Sequence, residues 1–406
     1  MSRDPGWKSE RRHTNRTDRT MTSLAPTPSP WITRAALAAM TVSFGLNFTS
    51  GVFFTPAAAE YHLDVSALAI AAALATALTG AAQTVIGRLL DKAGAKWVLV
   101  GGLASISLGY AGLALVVNTW QFITVFTVLV GLGFASASSL TVTTLLGRAH
   151  GEKVAPALAR ASIGINLGQL IGPWAATSLF APIGVRGAYL VLGGAGILVT
   201  ALLALTLPGD RAPGTSAGRE SLRGRGPTLV SFGLHAAVMY VVVLLLPKHA
   251  TEAGWTAVGA GRLVAVAALT AGITSALLPR LLRFSTPEAL LRVLYLLRAA
   301  VLVLATADTS SASLIIVAAL FGVASFPAIP LTMAILSRGL DRARMGRTLA
   351  PAWVIHQLAA AAGLGVAVGI HALTGGHRAY WALGAVLSLG AAALLIRRRA
   401  AALATV

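Results

Sequence analysis

No cysteine occurs anywhere in the 406 residues, which excludes disulfides, thiol nucleophiles and cysteine-bound metals. Charge is nearly as scarce. Asp, Glu, Lys and Arg make up 11% of the chain, where a water-soluble domain carries about a quarter. Only 13 residues are acidic. So few charges cannot cover a surface that faces water, whereas 56% hydrophobic residues and a mean hydropathy of +0.77 suit one that faces lipid. No nucleophile constellation, metal-ligand cluster or phosphate loop stands out, so the sequence predicts neither an enzyme nor a bound cofactor or metal.

What the chain does have is long apolar runs bounded by charged or Gly/Pro breaks. Twelve are predicted, at about 32–55, 66–86, 97–117, 120–146, 157–180, 186–207, 227–247, 257–279, 288–307, 311–336, 348–371 and 378–396. Each is long enough to span a bilayer, and backbone groups in lipid must be satisfied within the segment, so all should be helical. The expected fold class is an all-α membrane protein in which two pseudo-symmetric six-helix bundles pack together.

The net charge of +19 raises nucleic acid as a partner, but its distribution argues otherwise. The two tails and the even-numbered connections, with their flanking turns, hold 27 of the 32 Lys/Arg residues. Arg186, Lys248, Arg262 and Arg378 lie on the other side, and Arg298 falls within span nine, from which it is expected to snorkel toward the basic side. This is the positive-inside bias; it predicts both termini in the cytoplasm and the lipid bilayer, not nucleic acid, as the partner. Residues 1–30 read as a polar, disordered cytoplasmic tail, within which Met1 and Met21 are both possible starts.

The polar stretch 208–226 is expected to link a bundle over 31–207 to a second over 227–397, with a cytoplasmic tail at 398–406. The halves repeat. A shift of 191 lays Gly131 on Gly322, Asn166 on Gln357, Gly172 on Gly363 and Tyr189 on Tyr380. A shift of 192 lays GRLLD (87–91) over PRLLR (279–283). Paired halves around a midplane site are the pattern of secondary transporters. One chain holds both halves, so a monomer is expected to suffice.

The segment GRLLDKAGAK (87–96), between spans two and three, carries four charges in an otherwise oily region. Gly87, Asp91, Lys92, Gly94 and Lys96, with Arg88 among them, resemble the loop 2–3 signature of the major facilitator superfamily, although Trp97 replaces a frequent further basic residue. The resemblance covers about residues 31–397. It implies a cytoplasmic gate in which Asp91 faces the positive N-terminal end of the eleventh helix, near Thr348. Arg283 stands at the equivalent place in the second half, so only one half keeps the acid.

Span five, RASIGINLGQLIGPWAA, sets Gly168 and Gly172 one turn apart before Pro173, a pattern for tight helix packing and a bend. It resembles the fifth-helix motif of the family's antiporters, except that Ala175 and Ala176 replace a glycine; generic small-residue packing accounts for it equally well. Pro327 and Pro330 predict a bend in span ten.

No Asp or Glu falls deep inside a span. The polar groups that do are Asn47, Asn166, Gln169, His235, Tyr240, His356 and Gln357, with Arg262 a turn or two into span eight. These are the candidates for a substrate and proton pathway, each weighed against ordinary interhelical bonding, and Asn166 and Gln357 could face each other. Without buried acids, His235 and His356 are the candidate proton carriers. Amides, histidines and no acid suit a neutral or anionic small solute. FGLNFTSGVFFTPAAAEYHLDVSALA (44–69) resembles bacterial members of the monocarboxylate-transporter branch, but Ala271 and Ser275 stand where its animal members carry an Asp and an Arg. The favoured expectation is a multi-pass inner-membrane transporter moving a monocarboxylate or other organic anion by alternating access, with protons as candidate partners. The alternatives are a proton-driven efflux transporter for drugs or secondary metabolites, and a non-transporting scaffold.

Overall fold

The computed structural model describes residues 30–403 except 64, 211–219, 223 and 309. The N-terminal tail, most of the 208–226 connection and the last three residues lie outside the described residues. Among those described there is no strand, and helices account for nearly everything.

The first three helices are α1 (Pro30–Tyr61), α2 (Val65–Ala93) and α3 (Ala95–Leu113). After them comes α4 (Thr119–Thr124), then a π-helical stretch over Val125–Gly131, then α5 (Leu132–Ser136) and α6 (Ser139–His150). Next is α7 (Val154–Thr206), followed across the long connection by α8 (Gly226–Glu252), α9 (Ala257–Leu281) and α10 (Pro287–Ala307). The chain closes with α11 (Ser311–Ser325), α12 (Ala328–Ser337), α13 (Met345–Thr374) and α14 (Arg378–Leu403).

Ten segments among the described residues are long and apolar enough to cross a membrane, one of them extending from Thr119 to Thr206 through several consecutive helices. That segment contains three of the predicted spans. At 1.5 Å per residue the 53 residues of α7 would reach about 80 Å, against a hydrocarbon core of about 30 Å. Gly184 interrupts it: φ 69° and ψ −180° are non-helical and suit glycine, and the site falls between predicted spans five and six.

Span four departs from the single helix expected over 120–146. Its backbone widens into the π stretch and breaks at Ala137–Ser138. The cause is α3, which crosses so closely that a Cβ on Gly133 would lie 2.9 Å from the Gly102 carbonyl oxygen. Span ten divides where its prolines stand, with Pro327 between α11 and α12 and Pro330 inside α12.

Close contacts recur in register in the two halves. A Cβ on Gly131 would meet Ala75 of α2 at 3.1 Å, and one on Gly322 would collide with the Ala267 carbonyl of α9. One on Gly172 would sit 2.7 Å from the Gly45 carbonyl oxygen of α1, and one on Gly363 2.5 Å from that of Ala237 in α8. Gly164, Gly168 and Gly172 together form a seam along α7 that lets α1 lie backbone to backbone against it. Pro173 follows within the helix.

The main packing joins α1 and α3 to α7, α8 to α13 and α14, and α10 to α14. Contacts between the chain's two halves run through α2 with α13 and α7 with α9. Large apolar side chains such as Leu198, Leu205, Val293 and Leu358 stay exposed on helix surfaces. In water so much exposed apolar surface would be a liability, whereas in lipid it is the contact surface.

Candidate transport site and gate

The GRLLDKAGAK segment supplies the last turns of α2, a tight turn and the start of α3. Gly94, at φ 91°, makes the turn, and its left-handed conformation favours glycine. Asp91 points the other way, onto the N-terminus of α13. Its Oδ1 accepts from the Gly346 N–H at 2.9 Å and from Arg148 Nη2 at 3.0 Å. Its Oδ2 accepts from the Arg347 N–H at 2.9 Å and from Arg347 Nε at 2.8 Å. The carboxylate is thus saturated by two helix-end amides and two guanidinium groups while its side chain is 1% exposed. Buried charge is tolerable only with such complete pairing.

Two glycines allow the approach. A Cβ on Gly87 would stand 2.7 Å from that of Ala350, and one on Gly346 2.6 Å from that of Leu90. The helix meets Asp91 at Gly346 and Arg347, earlier than the expected Thr348, because α13 begins at Met345.

Arg148 connects this carboxylate to the rest of the same end. Nη1 donates to the Leu90 carbonyl at 3.0 Å and to Asp210 at 3.2 Å, and Nε to the Arg342 carbonyl at 2.8 Å. Asp210 in turn accepts from the Ala95 and Lys96 N–H groups, both at 2.8 Å, on the first turn of α3. Two carboxylates therefore cap two helix N-termini and share one arginine. Arg88 and Lys92 are exposed, and Lys96 lies over the Trp97 ring at 4.9 Å.

Arg148, Arg347 and Asp210 were not singled out from the sequence, which offers no local signal for contacts between residues so distant along the chain.

The polar residues of the spans fall into separate groups. Asn166, on α7, donates to the Ser162 carbonyl at 3.3 Å and reaches Ser275 of α9 at 3.5 Å, with its Oδ1 buried and unpartnered. Its side chain packs at Gly272, 3.5 Å from where a Cβ would be. Gln357, on α13, packs at Gly80 of α2 with the same spacing. The two amides thus occupy matching places in the two cross-half contacts, each against a glycine of the opposite half, and no hydrogen bond joins them among the described residues. Gln169 lies a turn beyond Asn166 and lines a small cavity with Val242, Leu246, Ala268, Phe321 and Phe326. Its buried Oε1 has no partner.

His235 and His356 come together inside the second half, their ring centroids 6.0 Å apart and Phe232 beside both. Tyr240 packs edge-on to His356 at 5.6 Å. His356 Nδ1 lies 3.4 Å from Gln357 Oε1, and its Nε2 is buried without a partner. Asn47 is half-buried on α1, and Arg262 is exposed on the first turns of α9 with no hydrogen bond or ion pair among the described residues. Neither joins the histidine group.

Arg298 corrects an expectation. Instead of snorkelling it is wholly buried, because α10 turns this face inward against α14 and the side chain reaches His235 of α8. Nη1 lies 2.7 Å from His235 Nδ1, Nε donates to Ser388 Oγ at 3.0 Å, and the group stacks over Tyr295. Nη2 is buried and unpartnered, and no carboxylate lies against it among the described residues. The register carried the signal: Leu291, Tyr295, Arg298, Leu302 and Ala305 form one buried helical stripe.

Comparison with known proteins agrees with this architecture. The family model of the Major Facilitator Superfamily matches residues 35–364. Human monocarboxylate transporter 11 is 29% identical over 251 residues, covering 59% of this chain but only 53% of that protein, so the chain matches about half the length of this relative. The crystal structure of the human organic anion transporter MFSD10 superposes with a TM-score of 0.73 at 17% identity, covering 89% of this chain and 99% of that one. The E. coli fucose:proton symporter FucP gives 0.71 at 14% identity, covering 90% and 98%. At these identities the structures show a shared fold alone. The family match, which spans most of the chain, shows that this all-helical chain with its membrane-length apolar helices belongs to the major facilitator superfamily.

Proposed function

We propose that this chain carries a small organic anion, a monocarboxylate being the favoured class, across the cell membrane by alternating access with protons as coupling ion. The observation that carries the proposal is Arg298, a buried guanidinium with a free Nη2 and no acidic partner among the described residues, beside two histidines. A buried cation without a counter-charge costs several kcal/mol. An anionic solute reaching this region supplies the missing partner. Every described carboxylate sits at a helix end or in a connection, so no fixed acid competes for that place or favours a cationic solute. The names of the relative and of the structural neighbour, a monocarboxylate transporter and an organic anion transporter, point to the same class.

His356 is assigned as the proton carrier. The guanidinium of Arg298 can only donate, so His235 Nδ1 must accept, and a proton there would have to displace the arginine. His356 has no such block: its Nε2 is bare, and Gln357 orients the other ring nitrogen. Asn166, Gln169 and Gln357 line the seams that shear as the halves rock, with Tyr240 packed against His356 and Asn47 and Arg262 farther along the pathway. The Asp91 latch closes the basic end, placed in the cytoplasm of an inner-membrane protein with both termini inside. Reading 119–206 as three crossings gives twelve, arranged as bundles over 31–207 and 227–397, and one chain works as a monomer.

The test is uptake of labelled lactate or pyruvate into proteoliposomes, with and without an inward proton gradient. Gradient-stimulated uptake that His356→Gln abolishes is expected. Uptake equal to that of empty liposomes for a panel of monocarboxylates would overturn the assignment. The apolar lining of the Gln169 cavity favours a second reading, efflux of a greasier solute, which dye or antibiotic extrusion in the same vesicles would reveal.

A further inference from the structure

At the end of the bundle opposite the latch, three histidines and a glutamate gather where α8 and α13 finish and α14 begins. Glu252 is the last residue of α8, and His249 lies one turn before it. His371 is in the last turn of α13. Gly375, at φ 68°, caps that helix by donating its N–H to the His371 carbonyl at 2.8 Å, and the chain turns back within a few residues. His377 follows, and its carbonyl accepts from the Tyr380 and Trp381 N–H groups on the first turn of α14. Backbone bonding therefore fixes both His371 and His377.

Their side chains are not satisfied in the same way. The His371 and His377 rings stack with centroids 4.5 Å apart, and His249 sits edge-on to His377 at 5.8 Å. His377 is 2% exposed, yet neither of its ring nitrogens makes a hydrogen bond. Its Nε2 lies 3.3 Å from Glu252 Oε2, close enough for an ion pair but without hydrogen-bond geometry. His371 Nδ1 and His249 Nε2 are also buried and unpartnered. Four orphaned imidazole nitrogens in one cluster is a large concentration, since each buried, unmade hydrogen bond costs about 1–3 kcal/mol.

We propose that Glu252, His371 and His377 bind a divalent transition metal of the zinc type, with His249 available as a fourth ligand. One ligand atom from each of the three lies within 4.8 Å of the others. Tetrahedral bonds of about 2.0–2.1 Å bring ligands to roughly 3.3 Å from one another, so a contraction of about 1.5 Å suffices. Glu252 is half-exposed and free to swing in.

The charges around the site choose the metal. Lys248 and Arg378 both lie close enough to act on these histidines, so the local field opposes a cation. A site with imidazole donors and net basic surroundings holds ions that form strong bonds to nitrogen, such as zinc, nickel or copper, and not magnesium or calcium. The site draws together α8, α13 and α14 at the end of the bundle remote from Asp91. A bound ion would therefore pin the far end of the helix whose start the latch holds. Nothing in this depends on which solute the chain carries.

The test uses the full chain without a polyhistidine tag, stripped with a chelator and titrated with Zn2+ and with Co2+. Expected are saturable binding of about one equivalent, a rise in Tm, and a cobalt absorption spectrum of the intense tetrahedral type. His377→Gln and Glu252→Gln should each weaken binding at least about tenfold. His62→Gln, at an exposed histidine elsewhere, should leave it unchanged. Glu252 is exposed enough to carry no folding role, so its variant remains informative if His377→Gln is unstable. Absence of saturable binding to the wild type, or equal affinity in Glu252→Gln, overturns the proposal. Either result is independent of transport.

Discussion

Asp91 and Arg298 are both buried charges, and they are treated in opposite ways. Asp91 collects four donors, one from Arg148 of α6 in its own half and three from Gly346 and Arg347 of α13, so most of its pairing exists only while α2 and α13 touch. Arg298 is held by one imidazole and one hydroxyl, keeps an unpartnered Nη2, and lies among helices that belong to one half of the chain. The first arrangement is complete in this conformation and loses three of its four donors when the halves part, which is what a latch needs. The second is incomplete in this conformation, which is what a site awaiting a ligand needs.

The comparison breaks most sharply at Asp91. Asp91→Ala leaves Arg148 with Asp210 as its one remaining ion pair among the described residues and removes the acceptor of the Gly346 and Arg347 N–H groups, a loss of about 3 kcal/mol in the latched state, the lower end of what breaking a buried ion pair costs. Because the chain has no cysteine, a single Thr348→Cys reports on the latch: Thr348 is fully buried here, one turn into α13. Thiol labelling at that site should rise roughly a hundredfold or more in the Asp91→Ala background. An unchanged rate would mean that this ion cluster does not hold the end closed.

Gly87→Leu tests the same contact without touching charge. Its side chain would have to displace Ala350 and the Gly346 carbonyl, at a cost of about 1–3 kcal/mol. The same labelling assay should show a smaller increase than for Asp91→Ala. A labelling rate equal to the parent's would show that α2 and α13 are not pressed together in the membrane.

How far these features were legible differs for physical reasons. The helices follow from apolar run length, which is a local property, and so does the break near Gly184. Asp91's contact with the start of α13 was an expectation of the family resemblance, which Gly87, Asp91 and Gly94 carry as a local pattern. Its arginine partners were not legible, since Arg148 and Arg347 lie in basic connections where topology alone accounts for every positive charge. The π stretch in span four was invisible because its cause is the crossing of α3 at Gly102, a neighbour in space only. Arg298 was legible in its helical register but outweighed by the expectation that a long cationic side chain reaches for water. The histidines at 249, 371 and 377 are separated in sequence, and only the turn at Gly375 brings the last two together.

Arg298→Met is the counterpart of Asp91→Ala and should move stability the other way. Replacing a poorly paired buried ion by an apolar side chain of similar volume is often neutral or stabilising by about 1–4 kcal/mol. His235 loses a donor in the exchange, which offsets part of the gain at about 1–3 kcal/mol. The expected result is a Tm equal to or above wild type with anion uptake abolished. A large fall in Tm would make Arg298 a structural strut like Asp91, and the contrast between the two would vanish.

The smallest effect is expected at His377, where burial holds the imidazole below its usual value of 6.5 against the opposing pull of Glu252. A histidine whose folded-state pKa is depressed keeps the protein most stable above its unfolded pKa, and that contribution drains away as pH falls through the folded value. Wild-type Tm should therefore decline as pH drops below about 6.5, and His377→Gln should flatten that part of the curve. The latch offers a control within the same molecule: Asp91→Asn removes a carboxylate, not an imidazole, so it should leave the slope in this window intact while lowering Tm throughout. If His377→Gln left the slope untouched, the neutral histidine cluster would not be what limits stability at mildly acidic pH. The two ends of α13 would then have to be compared through their carboxylates alone, Asp91 and Glu252.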